Sequence, residues 1–185
     1  MRVSREQAAE NHEQILEAAS RLFREQGFDR VGVDAIMQQA GLTHGGFYGH
    51  FRSKEDLASQ ALGRALDRAS ERQGKYTEIG GLVSDYLSQR HCNDPGSGCA
   101  IAALGSDIAR QDPGLRHGLT AHVRDRLDRF VRLLKGGTVA ERRKRAIATF
   151  AGMVGTLTLA RAVDDPTLSK EILAAGREVF GKGLS

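Results

Sequence analysis

At 185 residues the chain is long enough to bury a real core, as one large domain or as a small one joined to a larger one. Its 40% hydrophobic and 27% charged content, with three prolines, excludes a disordered chain; no apolar run reaches a membrane span of roughly 18–20 residues, and two cysteines make no disulfide framework. The formal net charge is +4, yet residues 1–57 hold seven Lys/Arg against nine Asp/Glu, so bulk charge does not mark the N-terminal part as a nucleic-acid binder.

In chain order the reading is helical almost throughout, because no run sustains period-2 alternation of β-branched residues. Residues 1–14 are polar and charged, which predicts no secretory signal and a cytoplasmic location. A first helix over residues 5–26 carries Ile15, Ala19, Leu22 and Phe23 at helical spacing, and Gly27 stops it. A short second helix over 34–40 follows Gly32, with Val33, Ile36, Met37 and Ala40 inward. Gly41 turns the chain, and the Thr43 hydroxyl is placed to cap a third helix over 44–50. Ser53 caps a fourth helix that runs to about residue 73, with Glu55 and Asp56 in its first turn near the positive dipole end. Two short helices joined by a turn at a glycine form a helix-turn-helix unit, whose second helix enters the DNA major groove. Between Ala35 and Lys54 there is no carboxylate, and local freedom from negative charge is what a DNA-facing surface needs.

One helix is expected over residues 78–90, with Ile79, Leu82, Val83, Tyr86 and Leu87 apolar. Residues 93–98 break the chain, and a helix resumes over 99–110 with Ile101, Leu104 and Ile108 on one face. Asp112 and Pro113 start the next, where aspartate caps and proline suits the first turn. It runs to about residue 135 with Leu115, Leu119, Val123, Leu127, Phe130 and Leu134 inward. The last pair covers 138–163 and 168–181, split at 164–166. In the first of these Ile147, Phe150, Val154 and Leu157 make a stripe, while Ala151, Gly152, Gly155 and Thr156 stay small. Glycine inside a helix costs up to ~1 kcal/mol against alanine, so close helix–helix approach is the natural reason for two of them.

Cys99 stands at a predicted helix N-terminus near Arg90 and His91, a setting that lowers a thiol pKa and suits sensing of electrophiles or oxidants. The plainer reading of Cys99 is a small buried hydrophobe. Cys92 and Cys99 have six residues between them, which is no recognised metal pattern, and no metal or other cofactor is expected. Nothing in the sequence groups Cys99 with a histidine, an orienting residue and an oxyanion site, so no enzyme is expected either. The basic stretch 142–145 reads as a solvated helix start.

The N-terminal third resembles the TetR family of bacterial transcriptional regulators. The match rests on residues 15–19 (Ile-Leu-Glu-Ala-Ala), Leu22, Phe23, Gly27, Phe28, Ile36, residues 40–43 (Ala-Gly-Leu-Thr), Gly45, Phe47, Tyr48, His50, Phe51 and residues 53–57 (Ser-Lys-Glu-Asp-Leu). The resemblance implies an all-α chain of about nine helices. Residues 1–52 would form a three-helix helix-turn-helix DNA-binding domain, and 53–185 a helical effector-binding and dimerisation domain. It implies a ligand-responsive regulator, acting as a repressor: a homodimer on a palindromic double-stranded DNA operator, released by a small effector. The DNA-binding residues would be Gly32, Val33, Thr43, His44, Gly45, Gly46, Tyr48, His50 and Lys54, with Arg2 and Arg5 as a possible arm. The last two helices would pair with their counterparts in a four-helix bundle through Ile147, Phe150, Ala151, Val154, Leu157, Ile172 and Val179. Tyr86, Cys99, Ala103, Asp107, His122 and Phe130 are candidates to line the effector cavity, although Asp107 is also placed to pair with Arg110 and His122 to border the surface.

Two departures from the family pattern stand out. Gly32 occupies a position that usually holds serine or threonine, which removes a side-chain phosphate contact. Gly45, Gly46 and Gly49 leave only His44, Tyr48 and His50 to reach out, which implies reliance on backbone contacts and DNA shape. A repressor that senses through the Cys99 thiol is the alternative, and a helical enzyme or an interaction module is the remote one.

Overall fold

The structure is a computed structural model that describes residues 4–111 and 113–182. Arg2 of the expected arm and Asp112, expected to cap a helix, lie outside the described residues. Helix α1 spans Arg5–Gln26; Ser4 caps it by accepting from the Gln7 N–H at 3.1 Å. Ile15, Ala19 and Phe23 recur every four residues and are buried, so this face of α1 is the spine of the first core. Helix α2 is Val33–Gln39, a 3-10 helix covers His44–Gly49, and α3 is Lys54–Gln73, capped by Ser53 at the Asp56 N–H. Helix α3 lies along α1, tied by the ion pairs Arg64–Glu13 at 2.6 Å and Arg68–Glu17.

The helix expected over 78–90 is two helices: α4, Ile79–Tyr86, and α5, Gln89–Asn93. The break is caused by Ser88, whose hydroxyl accepts from the His91 N–H at 3.2 Å and starts a new helix. The turn swings Cys92 into the core and aims the His91 ring back at the Tyr86 carbonyl. Helix α6 is Ala100–Ile108, α7 is Pro113–Leu133, α8 is Val139–Ala162 and α9 is Pro166–Gly181. A reciprocal capping box between Thr138 and Glu141 opens α8, and Asp165 followed by a proline opens α9.

Two apolar cores result. The first joins α1, α2, the 3-10 helix and α3 to Ala100, Leu104 and Ile108 of α6 and Leu115 of α7. The second is built by α4 to α9 around Phe130 and Phe150, whose rings meet edge-on at 5.7 Å. Phe130, a candidate for the effector cavity, is fully buried in that core instead. Phe150 and Leu157, expected at the dimer interface, also point inward. Gly152 has the expected packing reason, because any Cβ there would collide with the Phe180 ring. Among the described residues there is no strand, and no helix is long and apolar enough to cross a membrane.

Candidate nucleic-acid interface and the C-terminal cavity

The turn between α2 and the 3-10 helix is built by the backbone. The Ala40 N–H donates to the Ile36 carbonyl at 2.9 Å and the Leu42 N–H to the Met37 carbonyl at 2.9 Å. Gly41 sits at φ +71°, a left-handed conformation that favours glycine. The turn anchors on Ile36, Met37, Phe47 and Phe51, all buried. Tyr48 is thereby turned outward, 72% exposed, with its ring edge-on to Phe47 at 5.2 Å. Thr43, His44, Gly45, Gly46 and Gly49 share the exposed surface, and Lys54 stands half-buried at the start of α3.

Three expectations change here. The recognition segment is a 3-10 helix, and the Thr43 hydroxyl makes no capping bond. In this tighter turn the Gly46 N–H is taken by the Thr43 carbonyl at 3.1 Å, which leaves the hydroxyl free to face outward. His50 is half-buried beside α1, its ring 6.0 Å from His12, which itself stacks on Phe51 at 4.5 Å. Burial, helped by the His12 charge, lowers the His50 pKa, so it stays a neutral group at the rim. Sequence reading also missed Asp34, whose carboxylate pairs with the His44 Nδ1 and occupies part of the acid-free surface. Gly32 begins α2 without a side-chain cap, and Val33 packs partly against the first core.

The second candidate site is a cavity of about 120 Å³ between α3, α4, α5, the 94–99 loop and α7. Of the expected lining residues, Tyr86 and Cys99 are there. Ala103 packs against the first core, and Asp107 pairs with Arg110 at 2.7 Å. His122 stands one turn from the cavity and accepts from the Arg126 guanidinium at 3.2 Å. Burial, then the Arg126 charge, lowers the His122 pKa to about 4.

His91 is a hinge of the wall. Its Nδ1–H donates to the Tyr86 carbonyl at 2.6 Å, and its Nε2 accepts from the Cys99 N–H at 2.9 Å, an arrangement that requires the neutral ring. Burial lowers its pKa in the same sense. A Cβ on Gly98 would press within 2.8 Å of the His91 ring, so glycine permits this closeness. The loop continues onto α1: Arg24, whose pKa burial lowers to about 10, donates from Nε to the Gly96 carbonyl at 2.7 Å and from Nη1 to Ser20 at 2.6 Å. Arg72 of α3 donates to the Ser97 carbonyl at 2.9 Å. One short loop thus touches both the cavity and the helix that carries the DNA-facing domain.

Arg126, whose charge by itself argues for the surface, is only 3% exposed and lines the cavity. The signal was present, because position 126 is three after Val123 and four before Phe130 and so falls on the inward face of α7. Its guanidinium lies 5.6 Å from the Phe150 ring. The Tyr86 hydroxyl is buried, interacts with the Cys99 thiol and has no nitrogen or oxygen hydrogen-bond partner among the described residues. Burial, reinforced by Cys99, pushes the Tyr86 phenol well up, so it is a donor. Among the described residues no group of three or more His, Cys, Asp or Glu is placed to hold a metal.

Residues 15–61 match the family model of bacterial regulatory proteins, tetR family. The HTH-type transcriptional regulator AcrR of Shigella flexneri is 39% identical over 59 residues, 32% of this chain and 27% of that protein. The uncharacterized HTH-type transcriptional regulator YfiR of Bacillus subtilis (strain 168) is 25% identical over 91 residues, 48% of this chain and 44% of that protein. The matched part therefore spans less than half the length of these relatives. The whole fold has a counterpart in the crystal structure of a TetR transcriptional regulator from Chloroflexus aurantiacus J-10-FL, with a TM-score of 0.77 at 23% identity over 94% of this chain and 96% of that one.

Proposed function

We propose, from the match of residues 15–61 to the tetR family of bacterial regulatory proteins, that this chain is a cytoplasmic, homodimeric repressor that a small effector releases from a palindromic operator. Residues 1–52 act as the DNA-binding domain, and residues 53–185 bind the effector and dimerise. The observation that carries this reading is the turn at Gly41, which buries Phe47 and Phe51 while turning Thr43, His44 and Tyr48 outward. A rigid exposed segment that is short of acid and rich in glycine suits close approach to a phosphate backbone. Lys54 supplies the positive charge next to it, and the free Thr43 hydroxyl supplies a donor.

The effector acts through the 94–99 loop. A ligand that displaces Tyr86, His91 or Cys99 moves the Gly96 carbonyl that Arg24 of α1 holds. It shifts the population only as far as it binds the released state more tightly than the DNA-bound one. Thiol sensing is the second reading, favoured by the position of Cys99 on the cavity wall near Arg126; Cys99→Ser leaves release intact under the first reading and abolishes it under this one. The test of the first is a gel shift with the DNA flanking the coding region. Retardation is expected at 50 mM salt, with affinity falling by orders of magnitude towards about 200 mM. A dimer that retards no duplex even at low salt rules the reading out.

A further inference from the structure

Arg126 is a cation out of water without a carboxylate. Among the described residues none pairs with it; its only hydrogen bond runs to the neutral His122, and the Phe150 ring gives a partial substitute. A buried charge without a counter-ion is costly, and nearby chemistry normally supplies one. The other charges on the cavity wall are spent. Asp85 pairs with Arg90 at 2.9 Å, Asp94 accepts from the Ser97 N–H at 3.1 Å and faces Arg21, and Arg72 is held by the Ser97 carbonyl. Among the lining residues Arg126 is the buried cation without a carboxylate, and Tyr86 carries a buried hydroxyl with no nitrogen or oxygen partner.

We propose that this cavity takes a small organic carboxylate, whose anionic head pairs with Arg126 and accepts from the Tyr86 hydroxyl. A planar guanidinium suits both oxygens of a carboxylate. The volume of 120 Å³ is on the scale of a cavity that holds one benzene-sized molecule, and Leu82 with the rings of Tyr76 and Tyr86 gives it apolar walls. The site rests on the regulator reading only for its effect on DNA; the binding of the anion stands apart from it.

The test uses the full-length protein and three acids, acetate, butyrate and benzoate, each against its neutral amide. Calorimetry is expected to show binding of at least one acid and at least tenfold weaker binding of its amide. Tyr86→Phe weakens the acid by roughly tenfold, the loss of one charge-assisted hydrogen bond. Arg126→Met abolishes binding and raises the melting temperature of the ligand-free protein by several degrees, because an unpaired buried charge is gone. Arg126→Lys folds and keeps weaker binding. The proposal is overturned if no acid binds, if an amide binds as tightly as its acid, or if Arg126→Met keeps the acid or lowers the melting temperature, the mark of a structural cation. An acid that binds without releasing operator DNA supports the anion site and counts against the effector role. A neutral amide that releases DNA at the same concentration as its acid keeps the effector role and overturns the anion site.

Discussion

The glycines of the recognition segment are where a single atom tells most. A Cβ on Gly45 or Gly49 would meet nothing within 4 Å, and on Gly46 only the Met37 Cε at 3.7 Å. The packing of the chain therefore does not demand glycine there, and alanine would favour the helix by up to ~1 kcal/mol. In the proposed function the demand comes from outside, from a DNA surface that must come very close to the backbone. Gly45→Ala is accordingly expected to leave the melting temperature unchanged or slightly higher while operator affinity drops by at least tenfold. Paired melting curves and gel shifts check it, and unchanged affinity would show that the glycines face nothing. At this scale the inward Phe47 and Phe51 and the outward Tyr48 were legible, because their spacing about the Gly41 turn leaves few alternatives. The free Thr43 hydroxyl was not, because whether residues 44–49 wind as a 3-10 or an α-helix depends on the Met37 and Phe47 packing beneath them.

At the scale of elements, α4, α5 and α6 are joined through a neutral histidine, and this makes the C-terminal half sensitive to acid. The pKa of His91 and that of His122 both lie below the ordinary value of 6.5, His122 at about 4, each chiefly through burial. Between those folded values and 6.5 the unfolded chain binds more protons than the folded one, so stability falls as pH falls. Their contribution is complete above pH 6.5 and is lost as the pH falls below it, for His122 towards about 4. Urea midpoints measured from pH 7.5 to 4.5 should decline through this window, and His122→Asn should flatten the slope; an unaltered slope would remove His122 from the account. Helix limits such as Arg5–Gln26 and Lys54–Gln73 were legible because serine caps and glycine or a charged run bound them. The break at Ser88 was not, since an apolar stripe runs straight through it and only the cap reveals the turn. Arg126 escaped for a related reason: periodicity put it inside, and its charge argued for the surface.

At the scale of the whole molecule the unfinished surface is the outer face of α8 and α9. Of the six exposed large hydrophobics among the described residues, four lie on it: Ile147 and Leu159 on α8, Leu168 and Val179 on α9. Ala151 and Gly155 continue the α8 row at four-residue spacing, and a Cβ on Gly155 would meet nothing of its own chain. Ile147, Ala151 and Val179 were named from the sequence; Gly155, Leu159 and Leu168 were not, and they join this exposed face while Phe150 and Leu157 turn inward. A 24-residue helix with apolar residues on two sides carries one stripe for its own core and one for a partner, and the alternation alone does not say which is which. In the proposed homodimer a second copy laid on this face would form a four-helix bundle and bury the exposed stripe. A homodimer that reads a palindrome needs its two recognition segments one helical turn of DNA apart, roughly 34–36 Å. Leu159→Glu is the sharpest probe, since Leu159 is 59% exposed in the single chain and its loss costs that chain little. The variant should keep its helical signal, run as a monomer by light scattering where the parent runs as a dimer, and lose at least 100-fold in operator affinity, because one half-site contact no longer recruits the other. A Leu159→Glu protein that remains dimeric and still binds its operator would place the interface elsewhere on the molecule.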